Sequence, residues 1–439
     1  MHPPPAPLAP GFRDEPLWHA GVAYPSALDD PGTLPASADV VVVGAGYCGT
    51  VAAAELARRG RSAVVVEAGP IGAGASTRNG GMVIPELKHG PRWLTRKYGA
   101  LGGELVDAVF DAFALVERVV DEWSIDCDYR RTGGLLLAHH ERHVPGLEDG
   151  VDEWRDLLGE EATFLTRDEL HTEIGTSEYH AGLLVERTGG LHPAKYHAGL
   201  VRHALEAGAA LHAHTRAKRI ELRPVGGYRV TTTRGVVDCA EVLVATNGYA
   251  DELIPELRRR VLPIGSFIIA TVPLGDEVAR ACIPNGRMVY DAKNFLFYWR
   301  LSPDNRMVFG GRTSLAPTSV DAARDVLHRE MVRVHPQLVG APLEFAWGGN
   351  VAITFDRLPH CGRIPLPGGG DVAFATGCNG TGVALATWFG HEAAAWLSGE
   401  RPPPPFAEPR FPPVPLHSWR TAYLPAVGWW LRARDRVGR

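Results

Sequence analysis

Two short runs of almost uninterrupted β-branched residues mark the start of the folded pattern: Asp39 to Val43 (DVVVV) and Arg61 to Glu67 (RSAVVVE). Runs of this kind, bounded by glycine, predict strands buried on both faces, as in parallel sheets. Between them, residues 47 to 60 (YCGTVAAAELARRG) are helical by composition and stop at Gly60. Strand, helix and strand within about 30 residues make a βαβ unit with a right-handed crossover.

Further on, Leu101, Leu105, Val109, Phe113, Val116 and Val120 recur at helical spacing within a stretch from 91 to 123. A strand at Leu135 to Leu137 and a charged helix near 150 to 158 come next, and then residues 189 to 193 lead into a helix ending near 207. From 210 to 245 the texture is short alternating strands, and 261 to 312 reads as an antiparallel sheet. Val372 to Thr376 is one more buried strand, running through glycines into a helix from Thr381 to Leu397. Residues 1 to 38, rich in proline, read as an extended arm. The tail after residue 400 is also proline-rich and ends in an aromatic-basic stretch (Trp429, Trp430, Arg432, Arg434). It is expected to pack against its own domain, with contact to a membrane surface as the alternative.

At 439 residues the chain has length for two or three domains. A net charge of -5 with no basic tract argues against a nucleic-acid partner. Nowhere do about 18 apolar residues run uninterrupted, so no spanning helix is expected. The N-terminus has no charged-then-apolar leader pattern. Six dispersed cysteines form no C-x-x-C pair, and no histidines sit at metal spacing, so neither a disulfide framework nor a metal site is expected. A reducing cytosol is the simplest home for such a chain.

The strongest local signal is Gly44-Ala-Gly46-Tyr47-Cys48-Gly49, placed between a strand and a helix, with Glu67 and Ala68 ending the next strand. Gly44 permits a tight turn, Gly46 lets backbone N–H groups approach a diphosphate, and Gly49 allows close helix–strand packing. The helix N-terminus adds partial positive charge, and Glu67 is placed to grip ribose hydroxyls and to disfavour a 2′-phosphate. This motif alone does not separate FAD from NAD. Two further features favour the flavin. The loop Ser76-Thr-Arg78-Asn79-Gly80-Gly81 follows directly, with small residues that admit a planar ligand. A glycine return, Gly377-Cys-Asn379-Gly380-Thr381-Gly382, opens a second helix more than three hundred residues later. A helix N-terminus beside the ring would stabilise its anionic reduced form.

VVVGAGYCG, GASTRNGG, ATNGY, WGGNVAITFDRLPHCGR and GCNGTGVALAT together resemble the D-amino-acid-oxidase-like family of FAD-dependent oxidoreductases, nearest its gamma-glutamylputrescine oxidoreductase and sarcosine/glycine oxidase branch. The resemblance implies an α/β FAD-binding Rossmann-type domain, glutathione-reductase-like, with an inserted α+β antiparallel-sheet substrate domain. The boundaries it implies are an FAD-binding domain at 39–90, 180–255 and 345–400, a substrate domain at 91–179 and 256–344, an arm at 1–38 and a tail at 401–439. Carried over by position, Gly44, Gly46, Tyr47, Cys48, Gly49, Glu67 and Ala68 hold the diphosphate and ribose. Ser76, Arg78, Asn79, Gly80, Gly81 and Met82 line the ring, and Ala217 meets the adenine. Thr246, Asn247, Gly248 and Gly349 form further turns, while Gly377, Asn379, Gly380, Thr381, Gly382 and Val383 contact the ring from the return.

The implied reaction oxidises a C–N bond of a small amine, N-substituted amine or amino acid, with hydride passing to flavin N5 and the imine then hydrolysed; O2 or another acceptor takes the electrons. Tyr298 and Arg300 alternate onto one face of a strand and make a candidate carboxylate clamp. His192, Trp347 and His360 are further candidates for the substrate wall. The segment Trp347 to Asn350 lacks the cysteine to which sarcosine-oxidase relatives attach flavin, so noncovalent FAD is expected. The stretch from Arg306 to Gly311 lacks the lysine those relatives use on oxygen, which favours a dehydrogenase over an oxidase. Two other readings remain open at this point: a flavin-carrying electron-transfer subunit, and a nicotinamide enzyme without flavin.

Overall fold

A computed structural model describes residues 6–28 and 32–438. Its first sheet is built on Ser37–Val43, where Val40, Val41 and Val42 are fully buried. Parallel neighbours lie on both sides: Ala63–Val66 and then Ala210–His212 on one, and Val236–Val244 on the other. Val236–Val244 is long enough to serve two partners. Its first half pairs antiparallel with Tyr228–Thr232, and its end pairs parallel with Asp371–Thr376, Leu243 opposite Ala373. The valine run is thus continuous because both faces of this sheet are covered.

The helix of the early glycine motif, Tyr47–Arg58, packs on the late helix Gly382–Leu397. The contact is close enough that a Cβ on Gly390 would lie 2.4 Å from the Cys48 carbonyl oxygen. Two elements separated by most of the chain are therefore locked side by side, with their N-termini at the same end of the sheet.

A second, nine-stranded sheet stands beside the first. Its order runs Leu8–Arg13, Leu343–Thr354, Val261–Thr271, Met307–Gly311, Phe297–Leu301, Met288–Asp291, Gly134–Ala138, Ala181–Val185, Ala162–Thr166. It is antiparallel except for two parallel pairs, Leu8–Arg13 with Leu343–Thr354 and Met288–Asp291 with Gly134–Ala138. Ala181–Val185 and Leu343–Thr354, which the sequence boundaries grouped with the nucleotide segments, pair inside this sheet.

Three segments differ from their sequence reading. The arm supplies an edge strand, and its Trp18 is buried among Ala194, Phe345 and Trp347, so it is part of the packed structure. The helical stretch 91 to 123 is two helices, Pro91–Tyr98 and Ala100–Glu122. Gly99, at a positive φ of 62° that glycine adopts without strain, ends the first, and Gly102 lets the second approach the Leu94 carbonyl. The tail carries a helix, Arg420–Arg436, with Pro425 inside it. No helix among the described residues is long and apolar enough to cross a membrane.

The contact between the early and late helices yields a test. Gly390→Val should lower stability by about 1–3 kcal/mol through overpacking, seen as a lower urea midpoint with unchanged slope. A midpoint equal to wild type would show that the two helices are less tightly fitted.

Candidate functional site

Leaving its strand, the chain turns at Gly44 with φ 103°, and a Cβ there would lie 3.0 Å from the Ala245 carbonyl oxygen. Gly49 is constrained more severely, since its Cβ would overlap the Gly44 oxygen at 1.9 Å. The helix that follows has Gly46 as its N-cap with no side-chain cap. The Tyr47 N–H donates to Ser76 Oγ at 2.9 Å, whereas the N–H groups of Gly46 and Cys48 have no acceptor among the described residues. Orphan donors at a bare helix N-terminus make a ready site for a phosphate.

Glu67 accepts the Ala45 N–H at 2.9 Å and the Gly69 N–H at 3.1 Å, so it holds the shape of the turn. The Thr215 N–H donates to the Glu67 carbonyl, which brings the segment leading to Ala217 alongside; Ala68 is exposed. Ala217 itself is buried at the head of Ala217–Leu222.

The third turn, Thr246 to Gly248, links the other two. Gly44 packs on Ala245 and Thr246, and Asn247 Oδ1 accepts the Gly377 N–H at 3.0 Å. Gly248 packs on the backbone of Asn350, with 3.1 Å to where its Cβ would be. Asn379, itself at φ 51°, accepts the Thr354 N–H at 3.1 Å and so ties the return to the nine-stranded sheet. The late helix begins after Thr381 with no side-chain cap, a second bare N-terminus.

One cavity joins these turns. Tyr47 and Ser76 line it from the early side, Asn79, Gly80, Met82 and Gly349 from the flank, and Gly380 to Val383 from the return. Its walls are glycine at several points where a side chain would intrude. A Cβ on Gly349 would press on Arg78 at 3.2 Å, and one on Gly80 would meet the Tyr298 ring at 2.9 Å.

The loop from Ser76 to Gly81 is fixed by donors reaching it from several elements. Trp18 Nε1 donates to the Asn79 carbonyl at 2.8 Å, Trp347 Nε1 to the Arg78 carbonyl at 2.9 Å, and Arg300 Nε to the Gly80 carbonyl at 2.8 Å. Arg78 returns a bond to the Gly348 carbonyl, and Asn79 bonds within the loop, accepting the Gly81 N–H at 2.8 Å.

Four substrate-wall candidates are corrected by this arrangement. Arg300 and Tyr298 do leave one face of their strand, but the Arg300 guanidinium ends on the carbonyls of Gly80 and Leu191, behind the loop and under the Trp18 ring. Burial lowers its pKa to about 10. Trp347 is a buried anchor. His192 caps the helix Pro193–Glu206, its Nδ1 accepting from the Lys195 N–H at 3.2 Å, and burial pushes it down to about 4. His360 pairs with Asp356 at 3.0 Å and stacks on Phe411, outside the cavity. Tyr298 alone of the five lines the cavity, sharing a hydrogen bond with Ser266 at 3.1 Å.

Three of the cavity's four charged groups escaped the sequence reading: Glu86, Lys88 and Arg312, the fourth being Arg78. Tyr290 donates to Glu86, whose carboxyl is nevertheless raised above the usual range because burial outweighs Tyr290 and Lys88. Lys88 keeps an exposed side chain at the cavity mouth, and desolvation by the protein around it and then Arg312 lower it to about 8. Its Nζ lies 3.8 Å from where a Cβ on Gly380 would stand, so it overhangs the return turn. Burial also lowers Arg312, with Arg357 adding repulsion. Neither Lys88 nor Arg312 has a hydrogen-bonded or ion-paired partner among the described residues. One signal could have found Arg312. It follows Gly310-Gly311, and Gly310 leaves room for Tyr298, whose ring would be 2.4 Å from a Cβ there; paired glycines in a strand mark such close approach. The acid and base in Pro85-Glu86-Leu87-Lys88 carry no comparable signal.

Comparison with known proteins agrees with this geometry. The model of the family "FAD dependent oxidoreductase" matches residues 39–396. Gamma-glutamylputrescine oxidoreductase of Escherichia coli K12 is 29% identical over 411 residues, covering 91% of this chain and 93% of that protein. A probable oxidoreductase OrdL of Rhizobium meliloti is 33% identical over 396 residues, 88% of either chain. Among solved structures, glycine oxidase from Geobacillus kaustophilus shares the fold with a TM-score of 0.71 at 22% identity, covering 86% of this chain and 99% of that one. A flavin-free nicotinamide enzyme is thereby set aside. The chain belongs to the DAO family of FAD-dependent oxidoreductases.

Proposed function

We propose that the chain oxidises the C–N bond of a small carboxylate-bearing amine, N-substituted amine or amino acid. Bound FAD supplies the hydride acceptor at N5, and the imine product is hydrolysed by water. Gly44 to Gly49 would hold the diphosphate through the unsatisfied N–H groups of Gly46 and Cys48, with Ser76 to Met82 and Gly377 to Val383 against the ring. What favours this fit is the single cavity shared by two bare helix N-termini and walled with glycine.

The observation that carries the substrate class is the pair of cations without a partner among the described residues, Arg312 and Lys88, in a cavity whose other charged groups are Glu86 and Arg78, the latter bonded to the Ala73 and Gly348 carbonyls. A half-buried guanidinium facing a cavity without a partner is only partly solvated, and a substrate carboxylate would satisfy it through charge-assisted bonds. Glu86, oriented by Tyr290, is placed to accept a proton from the substrate ammonium, and its raised pKa suits that exchange. Tyr298 adds an aromatic wall. These residues position; little further acid–base help is needed.

The protein should purify yellow and bleach anaerobically with a carboxylated amine, and repetition in air with peroxide detection identifies the electron acceptor. Arg312→Leu should raise KM for such amines about a hundredfold while kcat and flavin content hold. Equal KM for wild type and variant, or no bleaching across a panel of carboxylated amines, would contradict the proposal. Acid precipitation should release FAD into the supernatant and leave the protein at its polypeptide mass. Cys378, the cysteine on the cavity wall, is pushed up to about 12 by burial, and a scarce thiolate is a poor nucleophile.

Lys88 supplies a pH signature. Its folded pKa of about 8 lies below the ordinary 10.5, so the unfolded chain binds the extra proton between those values. Stability therefore rises with pH across that window. Lys88→Met apoprotein should be more stable than wild type near neutral pH, and the advantage should shrink toward pH 10.5. An advantage that does not change with pH would contradict the assigned shift.

A further inference from the structure

The C-terminal helix Arg420–Arg436 has two faces of different character. At 3.6 residues per turn, Leu424, Gly428, Leu431 and Asp435 fall together and turn inward, Gly428 packing near Phe295 and Leu315. Asp435 is the helix's one carboxylate, and it is spent on the protein. Its oxygens accept the N–H groups of Asn294 at 2.8 Å and Phe295 at 3.1 Å.

The opposite face carries Ala422, Ala426, Trp429, Trp430 and Ala433. Trp429 is 71% exposed and Trp430 51%. Arg432 and Arg436 border this strip on one side and Arg434 on the other, with the Arg434 guanidinium 4.7 Å from the Trp430 ring centre. The outward face therefore presents indoles and arginines and no acid, in a chain whose net charge is -5.

We propose that this face docks on an anionic phospholipid surface, with the helix lying in the interface plane. An apolar strip edged by cations on both sides is the pattern of helices that rest in a headgroup layer. Tryptophan is favoured at that depth, and each arginine near the surface gains from anionic lipid. A second copy of the chain is the poorer occupant, because a two-fold contact would set one arginine-edged strip against another. The inner face is bonded to the segment 294–295, next to the cavity residue Leu296, and Arg432 donates to the Thr313 carbonyl, next to Arg312. The surface thus brings the lipid beside the outer wall of the cavity.

The test uses flavin-loaded, full-length protein in co-sedimentation with two vesicle types, phosphatidylcholine alone and phosphatidylcholine with about one third phosphatidylglycerol. Binding should be at least about tenfold tighter to the anionic vesicles and should fall as salt is raised. Trp429→Ala/Trp430→Ala and, separately, Arg434→Gln/Arg436→Gln should each abolish most of it, with flavin absorbance and melting temperature unchanged. Absence of binding, equal binding to both vesicle types, or binding that both double variants retain would overturn the proposal. So would a concentration-dependent dimer in solution that both variants convert to monomer, which would assign the face to a second copy.

Discussion

The carbonyl of Ala245 stands where a side chain on Gly44 would have to go, and two residues later Asn247 accepts the N–H of Gly377. This short turn at the end of Val236–Val244 is the point through which the early and late glycine motifs are held at one place. It can do so because its strand lies between Ser37–Val43 and Asp371–Thr376 and runs parallel to both in one sheet. Parallel strands release their chains at the same end, and ligands in open α/β sheets bind there. Two helix N-termini then face one cavity without any side chain to cap either.

Around that point the molecule spends many polar groups on positioning. Trp18, Trp347 and Arg300 all donate to carbonyls of the loop from Arg78 to Gly80, although none of them lines the cavity. Backbone in a glycine-rich loop has high conformational freedom, and three buried donors restrict it to one shape. The cavity cations have the opposite character. Among the described residues Lys88 and Arg312 hold no hydrogen-bonded or ion-paired partner, which leaves their charge open to the cavity.

The sequence was most informative where local chemistry dictates structure. The valine strands, the G-x-G-x-x-G turn and the return at Gly377 are demanded by backbone geometry and are read from neighbouring residues. The substrate side depends on which strands pair and how far a side chain reaches. Alternation put Tyr298 and Arg300 on one face, and that is where they leave the strand. Nothing in the alternation says that a guanidinium will pass the cavity and end on Gly80 and Leu191. Arg312, Glu86 and Lys88 come from segments far apart in sequence, and only the pairing of Met288–Asp291, Phe297–Leu301 and Met307–Gly311 brings Tyr290, Tyr298 and Arg312 to one wall. The docking of the extended arm is hidden from the sequence for a related reason: its edge strand draws its stability from Leu343–Thr354, a partner that its own composition does not reveal.

A crystal structure of the flavin-loaded protein examines the convergence of the two turns directly. Convergence of the two turns on one flavin predicts the diphosphate on the N–H groups of Gly46 and Cys48, and the ring bounded by Gly80 on one side and Gly380 to Gly382 on another, with Lys88 and Arg312 facing the open side. A ring lying away from the segment around Asn379, or a diphosphate bound elsewhere than the turn at Gly44, would contradict it.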